Sequence, residues 1–245
     1  MINANFLIKE PENFQDICLV YPPTVKEVTK NKDYSKYEMA LTITQQDIED
    51  EFANESPEMM TMTPFQYLML NSIVSEDFLQ IIIDSFKFFI QEDVAIIPDL
   101  EVILIGKLEE DIDPIIDLDE PRVIDAENFF DFQNMIRACL GRSKEEKIKE
   151  DDDEDPRVKR IKAKARYREK LVAKRRKAPT LGTYLAAICC MGIGLNPLNI
   201  GEISYASVTY LIDMYQQKEE YNTNIRSMLA GAKDVKLKYW IRDTK

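Results

Sequence analysis

Apolar residues recur at two different periods along this chain, and each period predicts its own kind of element. Short aliphatic or β-branched runs at residues 6–8, 17–21, 94–97 and 102–105 are bounded by Pro, Asp or Gly and predict strands. Pro98-Asp99 between the last two predicts a tight reversal and a small hairpin. Elsewhere the spacing is three to four. Phe78, Leu79, Ile82, Phe86, Phe89 and Ile90 mark one face of a helix, and Ile81, Ile83 and Phe88 widen it almost all round. Such a helix is expected at the centre of a core, with a partner groove as the alternative. Helix starts are written into the polar residues. Thr44 precedes Gln45-Gln46-Asp47, Thr63-Pro64-Phe65-Gln66 is a capping box with proline at the first helical position, and Ser75-Glu76-Asp77 puts acids at a positive helix end.

Further along, the apolar stripe thins. Residues 157–177 predict a helix from their Ala, Lys and Arg content, with Val158, Ile161, Ala165, Leu171 and Val172 as its sparse apolar positions and Arg168 interrupting. A helix of that kind bridges solvent or docks on something; it does not belong to a deep core. After it, Thr180 is placed to cap a helix through Tyr184, Leu185, Ile188 and Met191, ending near Gly192 or Gly194. A longer helix is expected from about Glu202, with Tyr205, Val208, Leu211, Ile212 and Tyr215 on one face. It either breaks at residues 222–224 or continues through them. The fold class that follows is α+β and predominantly helical: an N-terminal domain (1–141) with small strands packed on helices, a charged helical connector (142–179) and a C-terminal helical domain (180–245).

Charge changes the picture most. The chain of 245 residues carries −12 overall, with pI near 4.7. Residues 150–155 are an unbroken acidic run, expected to gain nothing from folding. Residues 157–177 hold 12 of the 32 basic side chains and one acid, so the remainder carries −23. The basic stretch is the one segment that invites nucleic acid, with Arg and Lys for phosphates and Tyr167 for a base, but the surrounding acidity repels a polyanion. Two other readings stay open: a surface helix neutralised by its own acidic neighbour, or a basic arm gripping an acidic protein partner or sister subunit.

Candidate chemistry is thin. There is no histidine to activate a Ser or Cys nucleophile. Cys18, Cys139, Cys189 and Cys190 form no CxxC pair, so no metal or cofactor is expected and the cysteines read as buried free thiols. Gly192-Ile193-Gly194 lacks the third glycine and the Lys-Ser/Thr of a phosphate loop. Asp111, Asp113, Asp117 and Asp119 have calcium-loop spacing, but Ile115, Ile116 and Arg122 stand where ligands and a glycine are required. The N-terminus shows no signal-peptide pattern, and the apolar run at 181–195 is too short to span a bilayer. A binding protein without catalytic function is the expectation.

Several phrases give that expectation a family. Ile17-Cys18-Leu19-Val20-Tyr21-Pro22-Pro23-Thr24-Val25-Lys26-Glu27-Val28, followed by Tyr37-Glu38-Met39 and Leu41-Thr42-Ile43-Thr44, resembles the opening of the tail assembly chaperones of long-tailed bacteriophages that infect Gram-positive bacteria. Thr63-Pro64-Phe65-Gln66-Tyr67 and the aromatic helix after it fit the same family. So do Lys218-Glu219-Glu220-Tyr221, residues 225–232 and residues 236–240 near the C-terminus. The resemblance lies at both ends of the chain and is weak in the middle. It implies a non-catalytic protein of the infected host's cytoplasm that coats the tape measure protein during tail assembly, associates with itself and is absent from the finished virion. A structural tail or baseplate component and a nucleic-acid-binding regulator are the alternatives. Partner binding is expected in the C-terminal half, on Arg157, Val158, Arg160, Ile161, Lys164 and Arg168 of the basic helix and on Tyr184, Tyr215, Tyr239 and Trp240 beyond it.

Overall fold

A computed structural model describes residues 4–54, 58–106, 122–145, 155–175, 180–233 and 235–239. Ten α-helices and five short strands appear among them, in the order α1 (Ala4–Leu7), β1 (Glu12–Phe14), β2 (Cys18–Val20), α2 (Val25–Lys30), α3 (Tyr34–Thr42), α4 (Gln45–Phe52), α5 (Pro64–Val74), α6 (Glu76–Ile90), β3 (Val94–Ile97), β4 (Val102–Ile105), β5 (Val123–Ile124), α7 (Phe129–Cys139), α8 (Pro156–Arg175), α9 (Leu181–Cys190) and α10 (Tyr205–Leu229). The fold is predominantly helical α+β, with one two-stranded and one three-stranded antiparallel sheet.

Helix α6 organises the core. Ser75 caps it by accepting from the Phe78 amide, and Gln91 ends it in the left-handed region. Ile82, Phe86, Phe89 and Ile90 are fully buried between α3, α5 and β3. Phe86 stacks on Phe132 of α7 with ring centroids 5.2 Å apart, and Phe14 meets the same ring edge-on at 5.4 Å. The hairpin β3–β4 forms where Pro98-Asp99 predicts it, in the register Val94↔Ile105 to Ile97↔Val102. Arg122 locks β5 to its surroundings. Its guanidinium pairs with both Glu92 oxygens, at 3.2 and 2.7 Å, and donates to the Ile17 carbonyl at 3.2 Å.

Polar side chains close the helix ends. Thr24, Thr44 and Thr63 each form a two-way capping box with the residue three positions on. The buried Gln133 amide donates to the Leu41 and Ile43 carbonyls, which satisfies the C-terminus of α3.

The C-terminal helices are tied to this core. Tyr205 donates its amide to the Pro23 carbonyl at 2.8 Å, and Val25 donates to Ile203 at 3.0 Å. Ala206 is part of the main core, while Val208 joins Val25, Ile188 and Ile200 in a second cluster. Gly141, at φ +72°, ends α7 where α10 crosses; a Cβ there would lie 2.8 Å from the Ala206 carbonyl oxygen.

Two expectations need correction, and one open alternative is resolved. Residues 6–8 are not a strand: Phe6 is buried within the short helix α1, and the Leu7 carbonyl accepts from the Ser204 and Ser207 hydroxyls, so long-range contacts set this segment. The last helix runs unbroken through residues 222–224 and begins at Ser204 as N-cap, after a 3₁₀ turn at Ile200–Glu202. The cysteines divide: Cys18 and Cys139 are buried, Cys189 is half-buried and Cys190 is exposed. Helix α9 packs through Leu185, Ile188 and Cys189, and two residues past Ile188 the helix has turned to its far side. The calcium-like aspartates and residues 150–154 of the acidic run lie outside the described residues. Asp155 is described, and it accepts from the Arg157 amide at the start of α8.

Candidate functional site

The basic helix α8 is built on a local consequence of sequence: a run of Ala, Lys and Arg without Gly or Pro beyond the first residue. At 3.6 residues per turn, Lys159, Ala163, Arg166 and Lys170 fall on one side. That side meets α4, its main neighbour. Arg166 places Nη2 2.9 Å from Glu49 and Nε 2.8 Å from Asp50. Lys159 reaches Glu49 at 2.9 Å. Lys170 bridges Asp47 at 2.8 Å and Asp50 at 2.7 Å. Arg160 donates from Nε to the carbonyl of Ala53, the C-cap of α4, at 2.9 Å. The small Ala163 sits fully buried in the middle, against the cluster of Ala53, Met60 and Phe52.

Asp50 is only 2% exposed, so a carboxylate there depends on the two cations that meet it. Burial pushes the Asp47 carboxyl up, but the Lys170 ammonium and the Thr44 hydroxyl and amide outweigh it, and the net shift is downward. Lys170 shows the mirror image: burial lowers it, and its bonds to Asp47 and Asp50 raise it further than burial lowers it.

The opposite side of α8 faces outward, and it holds the helix's larger aliphatic residues. Ile161 is 67% exposed and Val172 54%, with Val158 and Leu171 also exposed and Ala165 between them. Positions 158, 161, 165, 168 and 172 follow a three-four-three-four spacing, the seam of a helix that pairs with another helix. Arg168 occupies one seam position and is exposed. Arg157 and Lys164 fall on the same edge of the stripe as Arg168, so the seam carries a cationic border. This arrangement inverts the usual one: the charged face docks on the body of the protein and the apolar face meets solvent.

Of the sequence-derived partner residues, Arg157, Val158, Ile161, Lys164 and Arg168 are thus brought together along the seam, while Arg160 turns inward to α4. Tyr184 is half-buried on α9, and Tyr215 lies exposed on α10. Tyr239 reaches back from the tail to stack edge-on against Tyr221, with centroids 5.9 Å apart. Trp240 lies outside the described residues. The acidic receptor escaped the sequence reading. Its signal was present in Gln45-Gln46-Asp47-Ile48-Glu49-Asp50-Glu51-Phe52, a helix whose acids outnumber its apolar residues.

The buried thiols are suited to packing. Burial, with a smaller contribution from the Glu92 carboxylate and against the pull of Arg122, pushes Cys18 up to about 12, and burial alone raises Cys139. Among the described residues, no group of three or more Cys, Asp and Glu is arranged to hold a metal ion. No helix among them is long and apolar enough to cross a membrane.

Residues 173–245 match the family model described as the YomV second domain. YomV is a Bacillus phage protein. This part of the chain is similar to a domain of a phage protein. The matched segment starts in the last turn of α8 and takes in α9, α10 and the tail; it leaves most of the docked basic helix outside. None of the curated proteins and none of the solved structures matches the chain.

Proposed function

We propose that this protein is a non-catalytic bacteriophage tail assembly chaperone, and that it binds acidic amphipathic helices of the tape measure protein along the outward seam of α8. The inversion of α8 carries the proposal. An exposed aliphatic seam at helix-pairing spacing, bordered by Arg157, Lys164 and Arg168, is complementary to a helix with an apolar stripe and acidic flanks. The resemblance of the two chain ends to tail assembly chaperones supplies the family, and the similarity to YomV agrees with a phage setting. Such a chaperone works in the cytoplasm of the infected host. It needs no nucleotide, because shielding an apolar stripe requires only a complementary surface, and an elongated partner offers many such stripes to successive copies.

The nucleic-acid reading is disfavoured by the same geometry. Lys159, Arg166 and Lys170 are already paired with α4, and the outward face puts aliphatic side chains where phosphates would have to lie.

A photo-crosslinking residue at position 161 tests the proposal against one at position 8, since Ile161 and Ile8 are equally exposed at 67%. In cells co-expressing the tape measure protein, position 161 is expected to crosslink to it and position 8 to remain blank. No product from 161, or equal products from both, contradicts the assignment. Mass spectrometry of purified virions is expected to find the protein missing; its presence in stoichiometric amounts supports a structural tail or baseplate component instead.

A further inference from the structure

Helix α5 is apolar on two sides and covered on one. Its 11 residues include no charged side chain. Phe65, Leu68 and Met69 are buried, on a helix that packs against α6 and α7, as that composition requires. Leu70, Ile73 and Val74 fall together on the outer side, three and four positions apart, and Ile73 and Val74 are 64% and 74% exposed. The 3₁₀ turn Pro98–Leu100, at the tip of the β3–β4 hairpin, packs beside α5 and adds the exposed Leu100. Single exposed aliphatics are ordinary, but four on neighbouring elements make a patch.

Acids border this patch. Glu76 and Asp77 open α6 just after Val74, and Asp99 and Glu101 flank Leu100; all four are exposed. Glu51 reaches the same helix, where its carboxylate accepts from the Tyr67 hydroxyl at 3.3 Å. Lys36 lies within electrostatic reach of Asp77 but is paired with Asp33 at 2.7 Å. Glu101 closes the hairpin turn at φ +52°, where glycine is the unstrained choice, so the turn itself does not call for a carboxylate.

We propose that this surface docks a cationic amphipathic segment of a partner protein, whose apolar side chains are flanked by Lys or Arg. Charge complementarity selects that occupant. An aliphatic patch bordered by carboxylates attracts a basic segment and repels an acidic one, while the partner's apolar anchors cover Ile73 and Val74. Residues 107–121 and 146–154 of the chain itself carry 13 acids and three lysines, the wrong charge for this border. The surface is the electrostatic converse of the α8 seam, whose border is cationic, and it does not depend on the reading of that seam.

Fluorescence anisotropy of the full chain tests this with a labelled helical peptide of about five turns, leucine on one face and lysine on the other. Circular dichroism shows that each variant keeps its helix content. The wild type is expected to bind the peptide at least about tenfold more tightly than a counterpart with glutamate for lysine. Ile73→Ser with Val74→Ser is expected to weaken binding at least about tenfold, and Asp99→Asn with Glu101→Gln about threefold. Ile161→Ser with Val172→Ser is expected to leave it unchanged, which separates this surface from α8. No binding by the wild type, or equal binding of both peptides, overturns the proposal. So does binding that the substitutions at 73 and 74 do not change, because the general acidity of the chain then accounts for it. An oligomer in sedimentation velocity that the same two substitutions dissociate overturns it as well, since a second copy is then the occupant.

Discussion

Helices α6 and α8 are both amphipathic, yet they use their faces in opposite ways. Helix α6 turns Ile82, Phe86, Phe89 and Ile90 inward, and its order follows chiefly from burial of apolar area. Helix α8 turns Lys159, Arg166 and Lys170 inward onto Asp47, Glu49 and Asp50, and leaves Ile161 and Val172 in solvent. An apolar face left outside gives a folded monomer nothing. A charged face turned inside costs desolvation, which its partners only roughly offset. Under the proposed function the two helices have different roles: α6 holds the fold, and α8 is carried by the fold to present a surface.

The largest expected consequence of that difference lies in the core. Phe86→Ala removes a fully buried ring stacked on Phe132 and is expected to cost about 3–5 kcal/mol of unfolding free energy, read from urea denaturation. Asp50→Ala should act elsewhere and less. It leaves Arg166 and Lys170 without their buried carboxylate, weakening α8 docking by about 2 kcal/mol, a discount on a fully buried pair because both cations are partly exposed. Hydrogen exchange is expected to quicken roughly thirtyfold in the α8 amides and to leave those of α6 unchanged. Equal quickening in both helices contradicts the division of roles.

A smaller effect follows from titration. Asp47 has a folded pKa below its unfolded one, so its share of α8 docking is complete above the ordinary carboxylate range, about pH 4, and is lost as pH falls through the lowered value. Lys170 has a folded pKa above its unfolded one, so its share is complete below about pH 10 and is lost as pH rises through the raised value. Exchange in α8 is therefore expected to be slowest, after correction for the intrinsic rate, on a plateau between those limits. A docking strength that changes steadily across neutral pH would show that other groups control it.

Much of this architecture is legible in local sequence, because capping and hairpin signals act over three or four residues. Thr44, Thr63, Ser75 and Thr180 each sit at the N-cap where the sequence places them, and Pro98-Asp99 reverses the β3–β4 hairpin. Misreadings occur where distant contacts decide. The Phe6 segment has strand composition but is anchored by hydroxyls nearly 200 residues away, on Ser204 and Ser207. For α8 the helix and its charge are readable, and so is the need to dock on something. Which face docks is not, because Arg166 and Asp50 are 116 residues apart and only the fold brings them together. The reach of α10 past residues 222–224 also defeats local propensity: three polar residues of modest helix preference are carried by the turns on either side.

The central claim is that the outward face of α8 serves a partner and not the fold. It is tested most directly by substituting Ile161→Ser and Val172→Ser together, then measuring unfolding free energy and capture of the co-expressed tape measure protein on the same preparation. Both side chains are mostly exposed, so stability is expected to stay within about 0.5 kcal/mol of the unsubstituted protein while capture falls at least about tenfold. Capture at the unsubstituted level, or a loss of stability of about 2 kcal/mol or more, would contradict the account.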